Sequence, residues 1–183
     1  MIISDPNQIR QLNQQILSNH MGCSAIADTK VLTAYFLDMY TTHHMQKDYT
    51  LKCCQIEKKD ITALNIILQN FKIKNIIITP HILSEFINRL RNYAKHDYKD
   101  IEREGMKDLL RFIEVQIDKD EILNHEKFLD FGNDISLVIA SKKKIEDMKN
   151  LIVISFDGRF INEFYENVKN ILAFDMNTLS YFF

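Results

Sequence analysis

The chain is poor in the residues that break or staple a fold. Across 183 residues there are 4 glycines and 2 prolines, which leaves no flexible linker and no low-complexity stretch from which to argue a second domain. Its 3 cysteines are odd in number and two of them, Cys53 and Cys54, are adjacent. That pattern is neither a disulfide framework nor a paired zinc site, and a reducing, cytoplasmic setting is the expectation. The longest apolar runs, such as Ile76–Ile78 and Leu151–Ile154, fall far short of the roughly 18 residues that a membrane helix needs. The first residues carry no basic stretch followed by an apolar one, so they do not read as a secretion signal. Charge of one sign is lacking too: the formal net charge is −2, which argues against a strong nonspecific polyanion binder but allows a local basic patch.

What is present is an ordinary balance for a domain with a real core, 46% hydrophobic and 26% charged. Ser4-Asp5-Pro6 is a helix start, and Ile9, Leu12 and Ile16 recur at helical spacing to about Ser18. Ala25-Ile26-Ala27 is a short apolar run stopping at Asp28, with a helix from Val31 to Met39. A polar segment from Thr41 to Lys59 follows, and Asp60 is the expected cap of a helix through Leu68. Asn75–Thr79 is a β-branched run and reads as a buried strand, after which Pro80 opens a helix with Ile82, Phe86 and Leu90 on one face. A charged helical stretch runs on to about Phe112, then a short strand over Phe112–Ile117, then helices over Ile122–Leu129 and Ile135–Met148. Leu151–Ser155 and Ile171–Phe174 complete the strands, with a helix between them. Strands alternating with helices predict a parallel sheet wrapped by helices, with Ala25–Ala27 central between Asn75–Thr79 and Leu151–Ser155.

Four acids stand at the junctions of these elements. Asp28 and Asp157 lie just past strand carboxyl ends, while Glu85 and Asp134 lie in the opening turns of helices. Each admits a plain structural role: Asp28 and Asp134 as helix caps, Asp157-Gly158 as a turn, Glu85 as a solvated carboxylate near Arg89. Jointly they point to the sheet edge beyond the strand carboxyl ends, where open parallel sheets bind ligands. Clustered carboxylates repel one another and call for a cation, and oxygen ligands without His or Cys select Mg²⁺ or Mn²⁺.

Four segments carry a family resemblance: Ile26-Ala27-Asp28-Thr29, Ile78 to Asn88 with Thr79-Pro80 and Glu85, Asn133-Asp134-Ile135-Ser136 onward to Ala140, and Val153-Ile154-Ser155-Phe156-Asp157-Gly158-Arg159-Phe160. They resemble, in order, the signature blocks of the PIN-domain nucleases, over about Ala25–Asp175. The resemblance implies a three-layer α/β/α sandwich with a mainly parallel sheet of about five strands. It divides the chain into an N-terminal helical extension, residues 1–20, and a nuclease domain, residues 21–183. It further implies hydrolysis of RNA phosphodiester bonds with Mg²⁺ or Mn²⁺, one ion or two. Asp28, Asp134 and Asp157 would ligate the metal, Glu85 would ligate a second ion or orient the attacking water, and Thr29 and Ser155 would steady carboxylates or metal-bound waters. RNA is the implied substrate, and an antitoxin protein or a second copy of the chain the implied partner. A toxin and an RNA-processing enzyme both remain open. Lys30 departs from the pattern, standing where a small polar residue is usual.

Lys142-Lys143-Lys144 is the candidate phosphate contact. The series Arg91, Lys95, Lys99, Arg103, Lys107, Arg111 is interleaved with acids and reads as a salt-bridged, solvated helix. His43-His44 and Cys53-Cys54 are adjacent pairs whose side chains diverge, which favours loop or packing roles. The rival from another class is a catalytically silent PIN-like scaffold that binds RNA or a protein. A phosphotransferase with an aspartate nucleophile of the haloacid dehalogenase kind normally has an acid two residues after the first, where Lys30 stands. A P-loop enzyme is excluded by the lack of a Gly-rich phosphate loop.

Overall fold

The β-branched and apolar runs Ser24–Ala27 (β2), Asn75–Ile78 (β3) and Leu151–Ser155 (β5) form adjacent strands at the centre of one sheet. The structure, a computed structural model, describes residues 2–3, 5, 7–8, 18–44, 56–73, 75–94, 99, 103, 112–144, 150–168 and 171–179, with the side chains of 40–44, 94 and 144 excepted. Most of the expected N-terminal helix, Cys53-Cys54, most of the charged stretch before Phe112, the end of the helix expected to reach Met148, and Tyr181 onward lie outside these residues.

Among the described residues the sheet has six strands, completed by Ile2–Ile3 (β1), Phe112–Glu114 (β4) and Ile171–Asp175 (β6), in the order β1-β6-β5-β2-β3-β4. Every pairing is parallel, with Ile26 beside both Ile77 and Val153. All residues of β2 and β5 are buried, as expected of strands covered on both faces. The helices are Thr29–His44 (α1), Lys58–Phe71 (α2), Pro80–Ala94 (α3), Lys119–Leu123 (α4), Phe128–Phe131 (α5), Ile135–Lys144 (α6), Gly158–Asn167 (α7) and Met176–Leu179 (α8). They flank the sheet in an α/β/α arrangement whose core includes edge-to-face ring pairs, Phe36–Phe86 between α1 and α3 and Phe71–Phe174 between α2 and β6, at centroid separations of 4.8 and 5.4 Å. Among the described residues no helix is long and apolar enough to cross a membrane.

Some elements differ in detail from the expected ones. A strand, β1, precedes the segment expected as the N-terminal helix, with Ile2 aligned with Ala173 and Ile3, fully buried, with Phe174. Asp60 is not the cap of α2. Glu57 is, and Asp60, three residues in, reaches back to the Glu57 amide at 2.7 Å, closing a capping box. The helix expected over Ile122–Leu129 is split into α4 and α5 by a turn in which the Lys127 amide donates to His125 Nδ1 at 3.2 Å.

The strand order sets the position of the site. From β2 the chain moves outward through β3 and β4, then returns to the other side of β2 for β5 and β6. At such a reversal the connections leave in opposite directions and open a crevice beyond the strand carboxyl ends.

Candidate active site at the carboxyl edge of the sheet

Asp28 follows β2 directly and is buried, at 5% exposure. Its Oδ1 accepts the Val31 amide at 2.7 Å, so it caps α1, as its structural reading required. Its Oδ2 accepts the Ser155 hydroxyl at 2.5 Å and the Phe156 amide at 2.9 Å. The register that sets Ala27 beside Ile154 makes this possible, since Asp28 and Ser155 are the next residues along neighbouring strands. Ser155 Oγ also accepts the Asp157 amide at 2.9 Å, so one buried hydroxyl links the loops that carry both aspartates. Asp157 caps α7, its Oδ1 accepting the Arg159 and Phe160 amides at 2.9 and 3.4 Å, while Arg159 approaches Oδ2 at 3.6 Å.

Asp134 is different. It ends a short 3₁₀ turn, Gly132–Asp134, which feeds α6. Gly132 enters that turn at φ +54°, a left-handed conformation that suits glycine. Among the described residues, the buried Oδ1 of Asp134 has no hydrogen-bond partner, which a helix cap would have supplied. One turn inside α3, half-buried Glu85 accepts Arg89 Nη2 at 2.7 Å. A buried hydroxyl pair, Thr79 and Ser136 at 2.7 Å, ties the end of β3 to the start of α6 and so couples the segments carrying Glu85 and Asp134.

The electrostatics follow from that packing. Burial raises the Asp134 carboxyl to about 7 from an ordinary 3.8. The charges of Asp28 and Glu85 push the same way, Arg89 opposes them, and Asp157 adds a further upward push. Asp28 is also raised, by burial, against the stabilising effects of Ser155, the Val31 and Phe156 amides and Lys30. Asp134 thus senses the other three acids across the cluster.

Asp28, Asp134 and Asp157 line one cavity of about 600 Å³, together with Lys30, Arg89 and Arg159. Thr29, Asn162 and Asn177 also face it. The chain matches no family model, no curated protein and no solved structure. Chemistry must therefore be read from the cavity itself. Among the described residues no group of three or more His, Cys, Asp or Glu side chains is arranged so that it could hold a metal ion as it stands. The donor set nonetheless fits a hard cation. A carboxylate oxygen has two lone pairs, and Asp28 Oδ1 uses one of them on the Val31 amide. Asp157 Oδ2 has its cation only at 3.6 Å, and Asp134 Oδ1 is wholly unpaired.

Ser155 donates to Asp28, while the buried Thr29 hydroxyl, which also lines the cavity, has no hydrogen-bond partner among the described residues. Lys143 is engaged by Glu121 at 2.7 Å, and Lys142 lies eight residues beyond Asp134, about 12 Å along an α-helix. Lys142 and Lys143 thus sit about two turns along α6 from Asp134, and the side chain of Lys144 lies outside the described residues. Two cations that do line the cavity, Arg89 and Arg159, were signalled only by proximity in sequence, one helical turn after Glu85 and two residues after Asp157. Asn162 and Asn177 carried no such signal.

Proposed function

We propose that this chain is a Mg²⁺- or Mn²⁺-dependent ribonuclease of the kind its four sequence blocks resemble, the PIN-domain nucleases. The observation that carries the reading is the unpaired, buried Oδ1 of Asp134, which shares a cavity with Asp28 and Asp157. Leaving a buried carboxylate oxygen without a partner is costly, and mutual repulsion among acids adds to the cost. An ion ligated there would remove both penalties. Asp28, Asp134 and Asp157 would hold it, and when bound it would supply Lewis-acid polarisation of a phosphodiester and an activated water.

The chain's own groups account for the rest. Hydrolysis forms a bond from water oxygen to phosphorus and breaks the bond to the leaving ribose oxygen, with a proton lost by water and one gained by the leaving group. Glu85, steered by Arg89, is the group left to orient the water or to complete the ligand set. Ser155 fixes the Asp28 carboxylate, and its link to the Asp157 amide keeps the two loops in register. Lys30, Arg89 and Arg159 supply positive charge around the acids, which favours a phosphate anion over a neutral substrate.

A silent scaffold that binds RNA is the second reading. It is favoured by the cap bonds of Asp28 and Asp157, which show that both acids also serve the fold. Cleavage of labelled single-stranded RNA with Mn²⁺, with excess chelator, and by Asp28→Asn separates the two. Metal-dependent cleavage that the variant lacks supports the nuclease. Cleavage persisting in chelator refutes the metal assignment, and RNA binding without cleavage in Mn²⁺ or Mg²⁺ establishes the scaffold.

A further inference from the structure

The cavity carries its own cations, and their number limits how many metal ions it can take. Lys30 comes from the first turn of α1, two residues after Asp28, and lines the same cavity as the three aspartates. Its Nζ lies 4.6 Å from the centroid of the Phe156 ring, on the chain between Ser155 and Asp157. A ring face attracts an ammonium ion, so the contact holds this charge at the cluster instead of letting it extend into solvent. The other two cations are already committed, Arg89 to Glu85 at 2.7 Å and Arg159 to Asp157 at 3.6 Å. Lys30 is held over a ring, and from there its charge acts on Asp28.

Metal ligands must be ionised. With Asp28, Asp134 and Asp157 in the cavity and Glu85 beside it on Arg89 all charged, four negative groups stand against the three positive charges of Lys30, Arg89 and Arg159, and the formal balance is −1. One divalent ion brings this to +1, which a single phosphodiester anion neutralises. Two would leave +3 in a partly buried cavity, a charge one phosphodiester cannot offset. Without Lys30 the empty site would stand at −2, and a second divalent ion would leave +2 before substrate binds.

Resting on the nuclease reading above, we propose that Lys30 acts as a built-in cation at this site, so that the cavity binds one divalent metal ion per chain and not two. Lys30 is a positioning residue in this scheme: it excludes a second ion through its charge and need not touch the reacting atoms.

Manganese titrated into the purified full chain at pH 8, with free Mn²⁺ counted by electron paramagnetic resonance, tests this without any activity measurement. The wild type is expected to bind one Mn²⁺, Lys30→Met to bind a second at least tenfold more tightly than wild type does, and Lys30→Arg, which keeps the charge, to remain at one. Two ions of comparable affinity on the wild type would overturn the role of Lys30 and leave the nuclease reading standing. No binding at all would end both. A count of one for Lys30→Met would overturn the proposal as well. The wild-type count needs no variant to fold, and Lys30→Gln offers a second neutral replacement should the methionine prove insoluble.

Discussion

Replacing Asp134 by asparagine is the perturbation that best separates an acid cluster from a set of unrelated caps. Its carboxyl is raised from 3.8 to about 7 in the folded chain. The native state therefore holds a proton between those values that the unfolded chain has already released. Stability falls as pH rises through that window and levels off above it. At about 1.36 kcal/mol per unit, the ionised side chain costs the metal-free fold roughly 4 kcal/mol at pH 8. Relaxation of the loops would lower the net effect to roughly 2–4 kcal/mol. The asparagine side chain does not titrate, keeps the shape, and presents an amide that can donate toward Asp28 or Asp157. The variant should consequently melt higher than wild type at pH 8 without metal, by roughly 5–15 °C for a domain of this size. At pH 5, only part-way through the window, the difference should shrink to roughly a third. Added Mg²⁺ should raise wild type more than the variant, because binding to the folded state alone adds stability. Thermal melts at both pH values, with and without Mg²⁺, provide the readout. A variant that melts lower at pH 8, or a difference independent of pH, would refute the argument that ionised carboxylates surround Asp134.

Two further outcomes follow from the same geometry. Ser155→Ala removes the hydroxyl shared by the Asp28 carboxylate and the Asp157 amide, and should destabilise the chain by about 1–3 kcal/mol; an unchanged urea midpoint would show that this link contributes nothing. Arg89→Met removes the one cation that lowers the Asp134 carboxyl, so that group should titrate at still higher pH; nuclear magnetic resonance of the labelled side chain would detect it, and a downward shift would be incompatible with the charge arrangement.

How much of this could be read from the chain depends on whether the signal was local. The runs Asn75–Ile78 and Leu151–Ser155 announce buried strands in their own residues, and the parallel order around Ala25–Ala27 follows from the helices between them. Asp28 and Asp157 were visible as residues just past strands because that position is sequential. β1 was not visible: two isoleucines before Ser4-Asp5-Pro6 carry too little pattern, and their partners lie far along the chain at Ala173 and Phe174. Lys142 and Lys143 show what a run of like residues does not tell, since three consecutive lysines make a strong sequence signal while the pairing of Lys143 with Glu121 depends on the fold. The cavity cations lie near the acids in sequence, but that they line one cavity depends on tertiary packing.

For the acids, a role as cap does not preclude a role as ligand. A carboxylate has four lone pairs and a cap bond engages one of them. Asp28 caps α1 through Oδ1 and is held by Ser155 and Phe156 through Oδ2, so the bonds that make it structural also aim it. Asp157 is aimed in the same way by the amides of Arg159 and Phe160. Only Asp134 lacks such bonds at Oδ1, and only there does burial act against several carboxylates at once. A fold that needed these acids solely as caps would have no cause to bury that oxygen unpaired. On the nuclease proposal, the two pinned carboxylates would define the position of an arriving cation and the strained third would supply free energy released on its binding.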